Sequence, residues 1–250
     1  MHLLPSSSSS SSSCLRLLSL ALLLHVSFGV AAVDPLYAVC STSRNYTAND
    51  AFGDNLRQLM FMLATKASPI GFALGSVGQG AARANGLALC RGDIKSTACT
   101  TCVRTAGARV RDLCPNNKDG IVWFDECMLR YSDVEFFGEI DFDHTFSMWN
   151  RKNVSDPAVF DGKVANLMNR LKQKAYISPL LFATGDMEIG ESQELYGLVQ
   201  CTKDLSGGDC KKCLEAVIGE LPSCCDGKRG GRVVGGSCNI RYELYPFFDA

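Results

Sequence analysis

Five cysteines of this chain recur at a single displacement. Cys90, Cys99, Cys102, Cys114 and Cys127 return 111 residues later as Cys201, Cys210, Cys213, Cys225 and Cys238. Five coincidences at one offset are very hard to obtain by chance, and other residues keep nearly the same step. Gly86-Leu87 matches Gly197-Leu198, Arg130-Tyr131 matches Arg241-Tyr242, and Phe72-Ala73 matches Phe182-Ala183 at 110. Asn45-Tyr46-Thr47 and Asn153-Val154-Ser155, both N-glycosylation acceptor sequences at Asn45 and Asn153, lie 108 apart. The chain therefore reads as a tandem of two homologous domains, 33–144 and 147–250, with the drift in offset taken up by small loop insertions. Its 250 residues, 46% of them hydrophobic, are enough for two cores of about 100 residues each and exclude a disordered chain.

The total of 13 cysteines is odd, which in a secreted chain leaves one thiol without a partner. The amino-terminal residues resolve this. A serine tract over 6–13 leads to Cys14 and Arg16, and the apolar run 17–24 is followed by Gly29-Val30-Ala31-Ala32. This is the pattern of a secretory signal peptide over 1–32, with the small residues Val30 and Ala32 suited to a cleavage site. The run is too interrupted to suit a signal anchor. Cleavage removes Cys14 and leaves twelve cysteines; it also removes His2 and His25, so that His144 is the mature chain's single histidine. No later segment has the length and apolarity of a membrane helix, and residues 245–250 carry no anchor or retention signal. A soluble, extracellular product without a membrane anchor is expected. A formal charge of -1 provides no basic field for phosphate backbones, so nucleic acid is not an expected partner.

Each repeat opens with a helical spacing. Leu56, Leu59, Met60 and Leu63 fall within 55–66, and Val164, Leu167, Met168 and Leu171 are their counterparts. A second helix is predicted over 96–113, with Ser96 or Thr97 as its cap and Cys99 and Cys102 on one face. Its counterpart is expected over about 208–221, ending before Pro222. The runs 121–124, 127–131, 232–234 and 238–245 read as strands closing the repeats. In the last, Cys238, Ile240, Tyr242 and Leu244 alternate with Asn239, Arg241, Glu243 and Tyr245, which predicts one core face and one solvent face. The expected fold class is α+β: two tandem domains, each an antiparallel sheet with helices packed on one side.

Three uses compete for the C-x8-C-x2-C spacing. Structural zinc is typical of reducing compartments, whereas these cysteines leave the cell. A thioredoxin-like pair at Cys99/Cys102 or Cys210/Cys213 requires a βαβ context that the pattern lacks. Structural disulfides fit a small domain in an oxidising compartment, where each bridge contributes about 2–4 kcal/mol. Six cysteines admit about 15 pairings, and spacing does not choose among them.

The duplicated C-x8-C-x2-C units, together with 224–233 (CCDGKRGGRV) and 238–247 (CNIRYELYPF), resemble the plant cysteine-rich repeat secretory proteins. Their module is the ginkbilobin-like, or salt-stress/antifungal, domain, also found in ectodomains of cysteine-rich receptor-like kinases. The resemblance implies two helices on a five-stranded antiparallel sheet in each repeat. It implies the pairings Cys40–Cys114, Cys90–Cys99 and Cys102–Cys127, and in the second repeat Cys201–Cys210 and Cys213–Cys238. The second repeat departs from the pattern, because Trp149 stands where Cys40 has its counterpart. Cys225 thereby loses its partner. A vicinal Cys224–Cys225 bridge, or pairing of either cysteine elsewhere, remains open.

The resemblance also implies a mannose site in an antifungal protein: an asparagine just after the first cysteine, an arginine six before the last and a glutamate five after it. In the second repeat these positions are Asn150, Arg232 and Glu243; in the first they are Ser41, Ile121 and Ser132. Chemistry makes the trio sensible, since a carboxylate accepts from vicinal hydroxyls, a guanidinium donates to sugar oxygens and an amide does both. A plainer use is a solvated cross-strand pair of Arg232 with Glu243 and a turn at Asn150.

No catalytic residue is singled out. A triad or Cys/His dyad would have to be built around His144, in the stretch Asp141-Phe142-Asp143-His144 that suits a domain contact or a surface loop. The glycine-rich tract 227–236 leads into a strand, which suits a hairpin better than a phosphate cradle. No enzyme, cofactor or metal is expected. Two binding functions remain: a defence lectin of the plant apoplast that recognises mannose-bearing glycans, for instance on fungal walls, or a glycan-independent module that meets another extracellular protein.

Overall fold

The computed structural model describes residues 34–41, 43–47, 49–190 and 193–248; the signal peptide read over 1–32, with Cys14, lies outside them. The first repeat runs β1 (Tyr37–Cys40), α1 (Ala51–Ala67), β2 (Phe72–Val77), a 3-10 turn (Gly80–Ala82), β3 (Ala84–Cys90), α2 (Ser96–Leu113), β4 (Asp119–Trp123) and β5 (Cys127–Ser132). The second follows with β6 (Thr145–Trp149), α3 (Pro157–Ala175), β7 (Phe182–Gly190), β8 (Gln193–Cys201), α4 (Gly207–Gly219), a short α5 (Leu221–Cys225), β9 (Gly230–Gly235) and β10 (Cys238–Glu243). The sheets have the orders β1-β4-β5-β3-β2 and β6-β9-β10-β8-β7, antiparallel throughout. The expected α+β class is the observed one. β6 begins at Thr145, in the gap that the sequence leaves between its two repeats.

The helices form where apolar spacing and disulfides agree. α1 buries Phe52, Leu56, Leu59, Met60 and Leu63 along one stripe, and its N-cap Asp50 accepts a hydrogen bond from the Phe52 amide. At α2 the expected cap is corrected. Lys95 occupies the N-cap without a side-chain bond, and Ser96 and Thr97 lie in the first turn. The Cys90–Cys99 bridge anchors this end to β3, so the helix start is held covalently rather than by a hydroxyl. α4 stops at Gly219, short of the expected 221, and Pro222 falls in the first turn of α5, where its missing N–H costs nothing.

One face of each sheet packs on its helices. Those cores contain Leu59, Leu63, Val103, Val122, Leu129 and Tyr131 in the first repeat and Leu167, Leu171, Leu214, Val233, Ile240 and Tyr242 in the second. The predicted solvent face of β10 is corrected: Asn239, Arg241 and Glu243 are only partly exposed. The reason is that the outer faces of the two sheets meet. Phe72, Leu87, Leu89, Ile121, Trp123 and Met128 of the first repeat form one apolar cluster with Val234 and Phe146 of the second and with Phe136 of the connection. Polar contacts cross the same seam, with Trp123 Nε1 donating to the Gly235 carbonyl at 3.2 Å and Gln200 Nε2 to the Cys90 carbonyl at 2.9 Å.

Each repeat fastens its own outer face with the chain that leaves it. Arg130 lies over the Phe136 ring at 4.2 Å, and Arg241 over Phe247 at 4.3 Å, the same contact 111 residues on. Six disulfides staple the cores: Cys40–Cys114, Cys90–Cys99, Cys102–Cys127, Cys201–Cys210, Cys213–Cys238 and the vicinal Cys224–Cys225. β1 is thus tied to the end of α2, whereas β6 has no such bond and rests on its ladder with β9.

Candidate functional site

Strand register decides what the residues around Trp149 are equivalent to. Cys40 lies opposite Gly120 on β4, and Trp149 lies opposite Gly231 on β9, the residue 111 further on. The next residues also correspond: the Ser41 amide donates to the Asp119 carbonyl at 3.2 Å, and the Asn150 amide donates to the Gly230 carbonyl at 2.8 Å. Asn150 is therefore placed by the backbone ladder at the end of β6, and its Oδ1 accepts from the Lys152 amide at 2.9 Å, forming a local Asx turn.

Arg232 and Glu243 project from the outer face of β9 and β10, although they are not each other's partners. Arg232 stands opposite Arg241, and Glu243 opposite Gly230. All of these residues line one cleft of about 310 Å3, together with Met148, Trp149 and Tyr245 of the second repeat and Leu36 and Asp125 of the first. The cross-strand Arg232–Glu243 pair considered from the sequence is replaced by a chain of alternating charge. Arg232 Nη1 donates to Asp125 Oδ1 at 2.7 Å, and Arg241 Nη1 lies 3.7 Å from the same oxygen. Arg241 Nε donates to Glu243 Oε1 at 3.3 Å, and its Nη2 to the Tyr245 hydroxyl at 3.0 Å.

Burial shapes this electrostatics. The Arg232 side chain is 12% exposed, and burial lowers its pKa while the Asp125 charge opposes the shift; a guanidinium remains a cation regardless. Burial likewise raises the Glu243 carboxyl above the ordinary range, with the Arg241 charge and hydrogen bond opposing it. Glycine makes the placement possible. A Cβ at Gly230 would overlap the Glu243 carboxylate, so β9 must present a bare backbone there. The first repeat carries Asp119 at the Gly230 position and Ser132 in place of Glu243, and its Ile121, in place of Arg232, is buried in the seam. There Ile121 packs with Val234 and Phe146 of the other repeat.

Three polar residues of the cleft are missed by sequence reasoning. Arg241 and Tyr245 were readable only as the polar side of an alternating strand. Asp125 lies in the β4–β5 turn of the first repeat, 107 residues from Arg232, and no local pattern connects the two. Of the remaining sites, Asn45 and Asn153 are both exposed at isolated bridges, to Asn117 and Lys228. His144 bonds Asp141 through Nδ1 at 2.7 Å in the connection between the repeats. Among the described residues no group of His, Cys, Asp and Glu is arranged to hold a metal, and no helix is long and apolar enough to cross a membrane.

The fold and cleft define a class: a disulfide-stapled tandem of sheet-and-helix repeats, packed sheet to sheet, with a polar cleft at the seam. The family described as salt stress response/antifungal matches residues 39–134 and 147–245. The antimicrobial ginkbilobin-2-like protein of Castanea crenata is 56% identical, covering 93% of this chain and 95% of its own. Cysteine-rich repeat secretory protein 38 of Arabidopsis thaliana is 50% identical, covering 85% of each. Among solved structures, the tandem DUF26 ectodomain of the Arabidopsis thaliana cysteine-rich receptor-like protein PDLP5 superposes with a TM-score of 0.71 at 27% identity, covering 85% of this chain and 100% of that one. The chain belongs to the salt stress response/antifungal family, and it is a secreted protein with the tandem ectodomain fold.

Proposed function

We propose that the chain is a lectin-like defence protein that binds mannose-bearing glycans through the cleft of its second repeat. The observation that carries this reading is the convergence of Asn150, Arg232 and Glu243 on one cleft whose four charges alternate and cancel. Such a wall offers donors and acceptors at close spacing without net attraction for an ion, which suits a neutral polyhydroxyl ligand. The antimicrobial relative in Castanea crenata supports a role in defence. A second reading, a glycan-independent module for another extracellular protein, is favoured by the likeness to receptor-like ectodomains.

Calorimetric titration of the mature protein with methyl α-mannoside and mannan tests the first reading. Arg232→Ala and Glu243→Ala are each expected to weaken binding by about 10- to 100-fold, the effect of losing a charge-assisted hydrogen bond. Asn150→Ala is expected to cost roughly tenfold, because the Asx turn goes with the amide. Undiminished binding in all three would remove these residues from the site, and silence on sugars with retention of a protein partner would favour the second reading.

The same titration has an expected pH dependence. Ionised Glu243 is the form that accepts from two hydroxyls, and its folded pKa lies above the ordinary glutamate value of about 4.3. Affinity should therefore fall on acidification before ordinary glutamates protonate. A raised carboxyl pKa means that the folded state holds this proton more tightly than the unfolded chain, so protonation here does not itself unfold the protein. Glu243→Gln should flatten this limb of the profile; an unchanged limb would refute the role of Glu243.

A further inference from the structure

We propose that Asp125, carried by the first repeat, is a specificity-determining residue of the second repeat's cleft, where its charge admits neutral sugars and excludes acidic ones. This deepens the sugar-site reading and rests on it. Asp125 sits in the turn between β4 and β5, its side chain is 58% exposed, and its Oδ1 is 2.7 Å from Arg232 and 3.7 Å from Arg241. It lines the cleft beside Asn150, Glu243 and Tyr245.

The charge count supports the role. Arg232 and Arg241 contribute two positive charges, Asp125 and Glu243 two negative ones, and these are the acidic and basic side chains that line the cleft. Without Asp125 the balance becomes positive, and two guanidinium groups face the opening with only Glu243 to neutralise them. A paired guanidinium fork is the ordinary recognition device for a carboxylate. Asp125 already occupies that fork with a carboxylate of its own. A uronic acid entering the cleft must displace Asp125 or lie against it, at a repulsion of several-fold to more than tenfold in affinity at these separations. A neutral hexose meets no such penalty and can bridge the existing pair through its hydroxyls.

The selectivity of the second repeat therefore depends on the first, through a contact that exists because the sheets pack outer face to outer face. The seam holds Asp125 by the backbone of its turn: the Phe124 amide bonds the Cys127 carbonyl at 2.8 Å, and Trp123, two residues before Asp125, is anchored on Gly235.

The test compares methyl α-mannoside with galacturonic acid oligomers on the mature protein, on Asp125→Asn and on Asp125→Glu. Wild type is expected to prefer the neutral sugar. Asp125→Asn is expected to gain affinity for the acidic oligomer by about tenfold or more, a gain that weakens as salt is raised, while Asp125→Glu keeps the wild-type preference. A role confined to holding the repeats together would lower both affinities and create no gain. An unchanged neutral-to-acidic ratio in Asp125→Asn overturns the proposal while leaving mannose binding standing. If wild type binds no mannose but Asp125→Asn gains the acidic ligand, the mannose reading fails and the exclusion by Asp125 stands. No gain in any variant refutes it outright.

Discussion

Replacing Asp141 with alanine is expected to destabilise the protein by about 3–5 kcal/mol, the range for breaking a buried ion pair by removing one partner. The Asp141 side chain is 4% exposed, and its Oδ2 lies 2.9 Å from Arg130 Nη1 and 2.7 Å from His144 Nδ1. Its Oδ1 accepts from the amides of Asp143 at 2.9 Å and His144 at 3.0 Å, while its own amide donates to Ser237 Oγ at 2.9 Å. The side chain thus joins a cation of the first repeat to the connection, and the backbone amide of the same residue ties it to the β9–β10 turn of the second. Gly236 completes the fit, since a Cβ there would overlap the carboxylate. Deleting it leaves Arg130 largely buried without its anion, and Arg130 Nε is already without a hydrogen-bond partner.

Burial alone would raise the Asp141 pKa, but the Arg130 charge and the His144 hydrogen bonds outweigh it and hold the carboxyl below the ordinary range. A depressed carboxyl contributes stability that is present above the unfolded aspartate pKa and lost as pH falls through the folded one. Urea unfolding of Asp141→Ala at neutral pH should show the loss in midpoint, and the difference from wild type should shrink on acidification. A loss under about 1 kcal/mol at neutral pH would mean that the seam does not depend on this clasp.

Trp123→Ala should cost a similar amount, about 3–5 kcal/mol, for a different reason. Trp123 is 2% exposed and packs edge-on against Phe146 with ring centroids 5.3 Å apart, so its removal leaves a void between the sheets that neither helical layer can fill. Its indole N–H also anchors on the Gly235 carbonyl. Trp123→Phe separates the two contributions: most of the packing is kept and the hydrogen bond is lost, for about 1–3 kcal/mol. The alanine variant is expected to loosen the seam first, so that denaturant unfolding broadens and mannose affinity falls with Asp125 displaced. Unfolding as cooperative and as stable as wild type would show that the sheet-to-sheet contact is dispensable.

Asp141 lies in the stretch 141–144 that the sequence offered as a domain contact or a surface loop, whereas Trp123 marks where the sequence was silent. Trp123 appears in the chain as part of the apolar run 121–124, readable as a strand but not as one facing another sheet. The alternation along 238–245 correctly separates Ile240 and Tyr242, on the helix side, from Arg241 and Glu243. It assigns the second set to solvent because a period of two reports that the faces differ, and not what covers each. Strands β2 and β3 carry small residues such as Ala73, Gly75, Ala84 and Gly86, too weak in β-propensity to announce themselves. Ser96 looked like a cap because serine caps many helices, while the disulfide to Cys90 held that helix end without one.

By itself the sequence determined the duplication and the oxidising compartment, because repeat spacing and a leader pattern are properties of one chain, whereas Asn150, Arg232 and Glu243 were picked out only through the family resemblance. Even the exchange of a cysteine for Trp149 was legible, since an offset of about 109 to 111 residues survives as a simple count. Only the tertiary structure decided that the sheets meet at their outer faces, that this contact buries Ile121 at the first repeat's counterpart of Arg232, and that Asp125 reaches the second repeat's arginines. The physical reason is that packing between the repeats depends on complementary shape, on buried apolar area and on pairing of desolvated charges. Those quantities belong to surfaces assembled from residues about a hundred positions apart, and no periodicity within either repeat carries them.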